Sequence, residues 1–288
     1  MDYEFGVMQG RLLPKYKGQF QAHPKNYWQK EFKIASELKF NSIEFILDFE
    51  DYKENPLLNK NGIIEISNYM KKENVFVKSV CADFYMNSQI YKDDEQSFSL
   101  NFKVMELLIK NCSFLGVTDI VLPLVDSSSI IDSNQKLNST ILFLERTKSL
   151  LNKYKINICL ETDLPPKEFL KLILKLNFPY FKINYDTGNS VYMGYNFKEE
   201  LDAYAKYVTN IHIKDRVYKG PSVILGTGSC QFEEFFKYLK KIKYSGIIIL
   251  QAYRSDDGIR SIKPQLQYLR KVIKTCGQNI ILKRQEVF

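Results

Sequence analysis

Hydrophobic residues along this chain fall into two alternating textures. Short, nearly continuous apolar runs, rich in β-branched and aromatic residues, occur at Phe5–Met8, Ser42–Leu47, Phe76–Cys81, Asp119–Leu124, Ile156–Leu160, Phe181–Tyr185, Asn210–Ile213 and Gly246–Leu250. Runs of this length and continuity predict strands buried on both faces, as in a parallel sheet covered by helices. Between them lie longer segments whose apolar residues recur every three or four positions. These predict helices around 30–39, 61–73, 97–115, 133–153, 166–176, 197–208, 231–242 and 261–276. In the third helix Phe98, Phe102, Met105, Leu108 and Ile109 share one broad face, with Lys103 and Lys110 elsewhere, which is the stripe of a helix packed on a sheet. Asp132 or Ser133 can cap the fourth helix, Pro165-Pro166 can start the fifth, and Gly116 and Gly277 read as helix terminators.

Strand and helix signals alternate eight times over 288 residues, about 36 residues per unit. The expected fold class is α/β, a single (β/α)8 TIM barrel forming one domain over residues 1–288, because closure of the sheet uses every strand and leaves no edge. A doubly wound open sheet is the alternative; it is disfavoured because no GxGxxG follows the first strand and polar residues gather after many different strands. The Ile280-Ile281-Leu282 tail is expected either to close the barrel or to pack at a dimer contact, so the oligomeric state stays open.

Composition narrows the function classes. Hydrophobic residues make up 45% and charged residues 26%, which excludes a disordered chain. The net charge of +8, from 41 basic and 33 acidic residues, is spread along the chain, with pairs such as Lys71-Lys72 and Lys240-Lys241 inside helical patterns. That distribution indicates solvated helix faces and no nucleic-acid partner, while leaving room for a locally positive cleft that takes a small anionic substrate. The five cysteines include no CxxC pair and sit mostly in apolar runs, as buried thiols do in a reducing compartment. The acidic opening MDYEFGVMQGRL does not read as a signal peptide, and no stretch approaches ~18 apolar residues, so a cytoplasmic protein with no membrane partner is expected.

Barrel enzymes carry their sites at the carboxyl ends of the strands, and this chain places polar residues there repeatedly. The first strand leads into Gln9, Gly10 and Arg11; the second contains Glu44 and leads to Asp48; the third leads to Asp83. The fifth ends in Glu161-Thr162-Asp163, the sixth in Asp186-Thr187-Gly188-Asn189, the seventh in His212, Lys214, Asp215 and Arg216, and the eighth in Gln251 and Arg254. Any one of these could be a helix cap or a structural histidine. Together, however, Glu161, Asp186, His212 and Gln251 end four successive strands, and two carboxylates, an imidazole and an amide oxygen can form a divalent-cation shell. With only His23 and His212 present, a histidine-rich multinuclear zinc site is excluded. The oxygen-rich set favours Mn2+, with Mg2+, Co2+ or Zn2+ compatible. Arg11, Lys214, Arg216 and Arg254 would add positive charge at the mouth for a phosphate or carboxylate, and Gly226-Thr227-Gly228 could bring backbone amides to an oxyanion. His23 falls in a first-loop segment, read as loop structure or a substrate contact.

At these residues the chain resembles the sugar phosphate isomerase/epimerase family with the xylose-isomerase-like barrel. The matching segments are IEFILD (43–48), CLETDL (159–164), YDTGN (185–189), NIHIKDR (210–216), LGTGSCQF (225–232) and YSGIIILQ (244–251), in an order that covers nearly the whole chain. The resemblance implies a metal-dependent isomerase or epimerase that works through an enediolate-type intermediate, with Glu161, Asp186 and His212 as metal ligands. It makes Glu161 both ligand and proton-transfer base and Lys214 an oxyanion stabiliser. Arg11, Glu44, Asp83, Asn189, Asp215, Arg216 and Arg254 are the expected substrate contacts, Arg216 and Arg254 holding a distal anionic group, with Trp28 or Tyr85 over a sugar face. The family's strand-eight residue is commonly glutamate, whereas this chain has Gln251, which can bind a cation but cannot exchange a proton. The remaining routes are replacement by Asp215, Asp83 or Glu44, or aldose–ketose isomerisation by a single base. The alternatives are a metal-dependent keto-sugar or inosose dehydratase or lyase, and a noncatalytic carbohydrate-binding barrel. Nuclease chemistry of the endonuclease IV kind would need the histidine-rich shell that is missing.

Overall fold

In the computed structural model, which describes residues 3–92 and 94–277, the predicted apolar runs become eight parallel strands. They are β1 (Glu4–Met8), β2 (Ser42–Ile46), β3 (Ser79–Cys81), β4 (Asp119–Leu124), β5 (Asn157–Thr162), β6 (Phe181–Asp186), β7 (Val208–Ile213) and β8 (Ile247–Leu250). Each pairs with its sequence neighbours, and β8 returns to pair with β1, closing the barrel. The helices outside it are α1 (Gln29–Glu37), α2 (Lys60–Glu73), α3 (Glu95–Leu115), α4 (Asn134–Tyr154), α5 (Pro166–Leu176), α6 (Phe197–Tyr204), α7 (Phe232–Lys241) and α8 (Gly258–Thr275). The chain is a (β/α)8 TIM barrel.

Local chemistry sets the boundaries. Ser133 caps α4 through the Lys136 amide, Pro165-Pro166 opens α5, and Gly116 ends α3 in a left-handed conformation. Two expected elements are shorter than their apolar runs. Only Ser79–Cys81 is regular strand in the third run, with Phe76 contributing an isolated bridge to Ser42. The sixth helix stops at Tyr204, because the β-branched Val208 and Thr209 already belong to β7. The Ile280-Ile281-Leu282 tail lies outside the described residues. Among the described residues no helix is long and apolar enough to cross a membrane.

Apolar side chains fill two spaces. The larger lies between barrel and helices; the smaller is a plug inside the barrel made by Met8, Ile46, Cys81, Val121, Cys159, Ile247 and Ile249. Side chains alternate in direction along a strand, so Glu161 and Gln251 follow Cys159 and Ile249 on the inward face, at the carboxyl end. The β6–β7 ladder shifts register between Ile183 and Asn184, and beyond that shift Asp186 lies directly opposite His212. Thr209, the extra residue on β7, donates its hydroxyl to Asp119 Oδ1 across the barrel floor at 2.7 Å. A bulge beside the site thus re-aims the next inward side chains.

Candidate metal and substrate site

Glu161, Asp186 and His212 each present one ligand atom within 4.8 Å of the others, all in buried surroundings. His212 Nδ1 faces the two carboxylates, 3.5 Å from Glu161 Oε2 and 3.9 Å from Asp186 Oδ2. Its other nitrogen, Nε2, lies 2.7 Å from Glu44 Oε1, and Glu44 Oε2 accepts from Asn210 Nδ2 at 2.7 Å. A carboxylate that holds the far nitrogen of an imidazole fixes both the ring plane and the tautomer, as second partners of metal-bound histidines do. Asp186 divides its oxygens. Oδ1 accepts from the Gly188 and Asn189 amides, capping a seven-residue helix (Thr187–Met193), while Oδ2 faces His212 and Lys214 Nζ, the latter at 3.0 Å. Gly188 is required here: a Cβ on it would lie 2.8 Å from Lys214 Cγ, so the lysine reaches Asp186 only over a bare backbone.

The Glu161 carboxylate is held at both oxygens, by Asn184 Nδ2 on Oε2 and Asn189 Nδ2 on Oε1, each at 2.6 Å. Burial, together with the Asp186 charge, pushes its carboxyl up to about 7, against the pull of His212 and Lys214. Burial also opposes ionisation of Asp186, but Lys214 and His212 outweigh it and hold this carboxyl below its ordinary range. For His212 burial alone would lower the pKa; Glu44, then Glu161 and Asp186, reverse that and raise it to about 9. Nε2 is already bonded to Glu44, and Nδ1, the atom that faces the carboxylates, also lies 3.1 Å from Asn184 Nδ2.

Of the three, Glu161 borders a cavity of about 490 Å³ at the barrel mouth, whose wall also includes Lys214, Asn189, Arg216 and Gln251, with Arg11 and Asp83. Gln251 is 5% exposed; its Nε2 donates to Gln21 Oε1 at 2.9 Å, and its Oε1 is buried without a hydrogen-bond partner among the described residues. A buried acceptor left open costs stability unless a ligand satisfies it. Two carboxylates and an anchored imidazole, clustered and buried, fit a divalent cation. On the same wall the Arg216 guanidinium lies 3.9 Å over the Tyr192 ring and donates to Asn189 Oδ1 at 3.3 Å.

Residues 32–272 match the family model described as xylose isomerase-like TIM barrel. The chain belongs to that family. It is 22% identical over 235 residues to UlaE from Escherichia coli, an L-ribulose-5-phosphate 3-epimerase, covering 78% of this chain and 82% of UlaE. Among solved structures, the barrel resembles D-psicose 3-epimerase from Clostridium cellulolyticum H10, with a TM-score of 0.75 at 14% identity over 94% of this chain and 99% of that one. It also resembles YcjR from E. coli, a 3-keto-D-glucoside 4-epimerase, with a TM-score of 0.72 at 16% identity over 94% of this chain and 100% of that one.

Within this xylose isomerase-like barrel several expected substrate contacts are placed elsewhere. Arg254 is buried, and its guanidinium donates to the carbonyls of Gly10 and Leu13 at 2.6 and 2.5 Å. It pins the turn after β1 instead of reaching the cavity. Asp215 is turned into its own loop, accepting from the amides of Gly226, Gly228 and Cys230. The amides expected to receive a substrate oxyanion therefore already hold an internal one. Gly228 permits this, since any Cβ there would collide with the Asp215 carboxylate. Glu44 is fully buried behind His212 and is a positioning group, away from the cavity lining. Trp28 packs among Phe32, Phe45 and Tyr69, and Tyr85 donates to the Asn101 carbonyl, so neither covers a sugar face. His23 is structural: buried, hydrogen-bonded to Gln9, and pushed down to about 3 by desolvation.

Three contributors escaped the sequence reading. Asn184 touches both Glu161 and His212, and its place two residues before Asp186 on an inward face was readable from strand alternation. Gln21 lies in a loop without periodicity and carried no such signal. Glu31, on α1, accepts from the Gly10 and Leu12 amides, opposing Arg254 across the turn that presents Arg11.

Proposed function

We propose that this barrel is a divalent-metal-dependent isomerase or epimerase of a ketose, most suitably a sugar phosphate, and that Mn2+ is the favoured ion. The observation that carries the reading is the convergence of Glu161, Asp186 and His212, one ligand atom of each within 4.8 Å of the others, with Glu161 also lining the cavity. A bound cation supplies polarisation of the substrate's carbonyl and adjacent hydroxyl oxygens, which acidifies the carbon-bound proton between them.

The chain supplies the rest. Glu161, with both oxygens fixed by asparagine amides, is suited to accept that proton. Lys214 sets a positive charge where oxygen gains negative charge in the enediolate. Arg216, braced by Tyr192 and Asn189, and Arg11, buried in the facing wall, make the cavity attractive to an anionic group. The likeness to an L-ribulose-5-phosphate 3-epimerase supports a phosphorylated ketose.

The test is deuterium incorporation from solvent into a panel of ketopentose and ketohexose phosphates. Incorporation should require both Mn2+ and Glu161, and exchange undiminished in Glu161→Gln would remove Glu161 from the reaction. The amide at Gln251 favours a second reading, a carbohydrate-binding barrel without catalysis; metal-dependent sugar binding with no exchange across the panel would establish it.

A further inference from the structure

Epimerisation needs a proton removed from one face of a carbon and another delivered to the opposite face, and the neutral amide of Gln251 does neither. Resting on the epimerase reading above, we propose that Asp83 is the second proton-transfer group, positioned by Gln21 and directed into the cavity from the β3 side.

The carboxylates lining the cavity are Asp48, Glu50, Asp83, Asp126 and Glu161. Glu50 is tied to Lys17 and Gln19 at the exposed rim, and Asp126 is exposed. Burial raises the Asp48 carboxyl as well, but its Oδ2 is held by the His23 amide, and the rim carboxylates Glu50 and Asp51 are among its charged neighbours. Asp83 lies deeper. His212 and Glu44 act on it, and the neighbouring Cys81 thiol feels Asp83, Glu44 and Glu161 together. In an eight-stranded ring β3 stands a quarter-turn from β5, which carries Glu161.

A chain of hydrogen bonds fixes the geometry. Arg11 has only donors, and its Nη2 reaches Gln21 Oε1 at 2.9 Å, while Gln21 Nε2 donates to Asp83 Oδ2 at 2.7 Å. Both ends of the Gln21 amide are therefore assigned by chemistry. Gln251 must present Nε2 to the same Gln21 oxygen, which leaves its own Oε1 as the open acceptor. Residue 251 thus binds, and proton transfer falls to another group. The second oxygen of Asp83, Oδ1, accepts from Cys81 Sγ at 3.1 Å. Both protein neighbours of Asp83 act as donors, so a proton on Asp83 finds its acceptor in the cavity. Burial favours that protonated form by raising the carboxyl pKa.

The steps balance. The Glu161 carboxylate takes the proton from carbon; the C–H pair becomes the C=C bond of the enediolate and the carbonyl π pair moves to oxygen. Asp83 then delivers its proton to the opposite face, the C=C pair forms the new C–H bond, and the oxygen pair restores C=O. Glu161 returns its proton to solvent and Asp83 regains one, with no net change in the protein. In the reverse direction the two groups exchange roles.

The experiment uses the full-length, Mn2+-loaded protein in D2O with the D and L forms of ribulose 5-phosphate and xylulose 5-phosphate. NMR follows deuterium at C3 and appearance of the epimer, and calorimetry follows Mn2+ binding. Asp83→Asn should bind Mn2+ as the wild type does and retain C3 exchange, while inversion falls about 100-fold or more. Inversion retained in Asp83→Asn, or exchange and inversion lost together with Mn2+ binding intact, would overturn the assignment. Absence of exchange in the wild type on all four compounds would instead refute the epimerase reading, and the role of Asp83 with it.

Discussion

The protonation state of the triad makes metal binding a proton-releasing event, and the number of protons can be worked out. In the metal-free protein His212 has its pKa raised to about 9 and Glu161 to about 7, while Asp186 is held ionised. A cation can occupy Nδ1 of His212 and the Glu161 carboxylate only after their protons leave. At pH 7.5 the imidazole is mostly protonated and Glu161 mostly ionised, so binding should release about one proton, chiefly from His212. Towards pH 6 the release should approach about two, and above pH 9 it should fall below about one half. Affinity should accordingly tighten roughly tenfold, about 1.4 kcal/mol, between pH 7.5 and 8.5. Titration calorimetry with Mn2+ in buffers of different ionisation enthalpy measures this directly, since the slope of apparent enthalpy against buffer enthalpy is the proton count. His212→Asn should remove the imidazole's share of the release and leave only that of Glu161, whose carboxyl loses the downward pull of His212. Tight binding by the wild type with almost no release at pH 7.5 would mean that His212 Nδ1 is not a ligand and would break the proposed shell.

The same two groups set the stability of the metal-free protein. Both have folded-state values above their unfolded ones, so their stabilising contribution is present at low pH and is lost as pH rises, through about 7 for Glu161 and about 9 for His212. The metal-free Tm should fall between pH 7 and 9, and saturating Mn2+ should reverse the trend; a flat metal-free profile in scanning calorimetry would contradict the assignment. Arg254→Met leaves the carbonyls of Gly10 and Leu13 without their donor, which should cost about 2–4 kcal/mol; an unchanged urea midpoint would return Arg254 to the list of ligand-binding candidates. Arg216→Ala removes a charge-assisted contact from the rim and should raise KM for a ketose phosphate about 10–100-fold while leaving that for the unphosphorylated ketose unchanged. Equal effects on both sugars would separate Arg216 from phosphate recognition.

What the sequence disclosed follows from periodicity. Glu161, Asp186 and His212 sit at carboxyl ends of successive strands, and alternation along a strand with closure of the sheet is enough to gather them. Loop geometry has no such rule. Asp215 and Arg216 are adjacent beyond β7 and look equivalent in sequence, yet one turns to amides 11, 13 and 15 residues downstream and the other lines the cavity. Arg254 is separated from Gly10 and Leu13 by more than 240 positions, and only the β1–β8 pairing that closes the barrel brings them together. Glu44 illustrates a subtler gap. It precedes Ile46 of the inner plug on the same inward face, which places it below the mouth, where a carboxylate meets His212 and no substrate.

Gln251 also has a reading that follows only from its neighbours. Its Nε2 meets an oxygen of Gln21 that is already an acceptor for Arg11, while the other end of Gln21 donates to Asp83. Gln251→Glu would set a carboxylate oxygen against that amide oxygen. Gln21 could then donate to the new carboxylate only by turning its oxygen toward Asp83, which would have to be protonated or displaced. A carboxylate at 251 and an ionised Asp83 are thus in competition for one amide. Restoring the glutamate common in the family should not raise inversion by itself, because it dislodges Asp83. In an Asp83→Asn background the new amide can donate to the turned oxygen of Gln21, and Arg11, which loses that oxygen, can donate to the carboxylate at 251 instead. There Gln251→Glu should recover inversion about tenfold or more over the single Asp83→Asn variant. Independent, multiplicative effects of the two substitutions on the inversion rate would show that Gln21 does not couple the two positions.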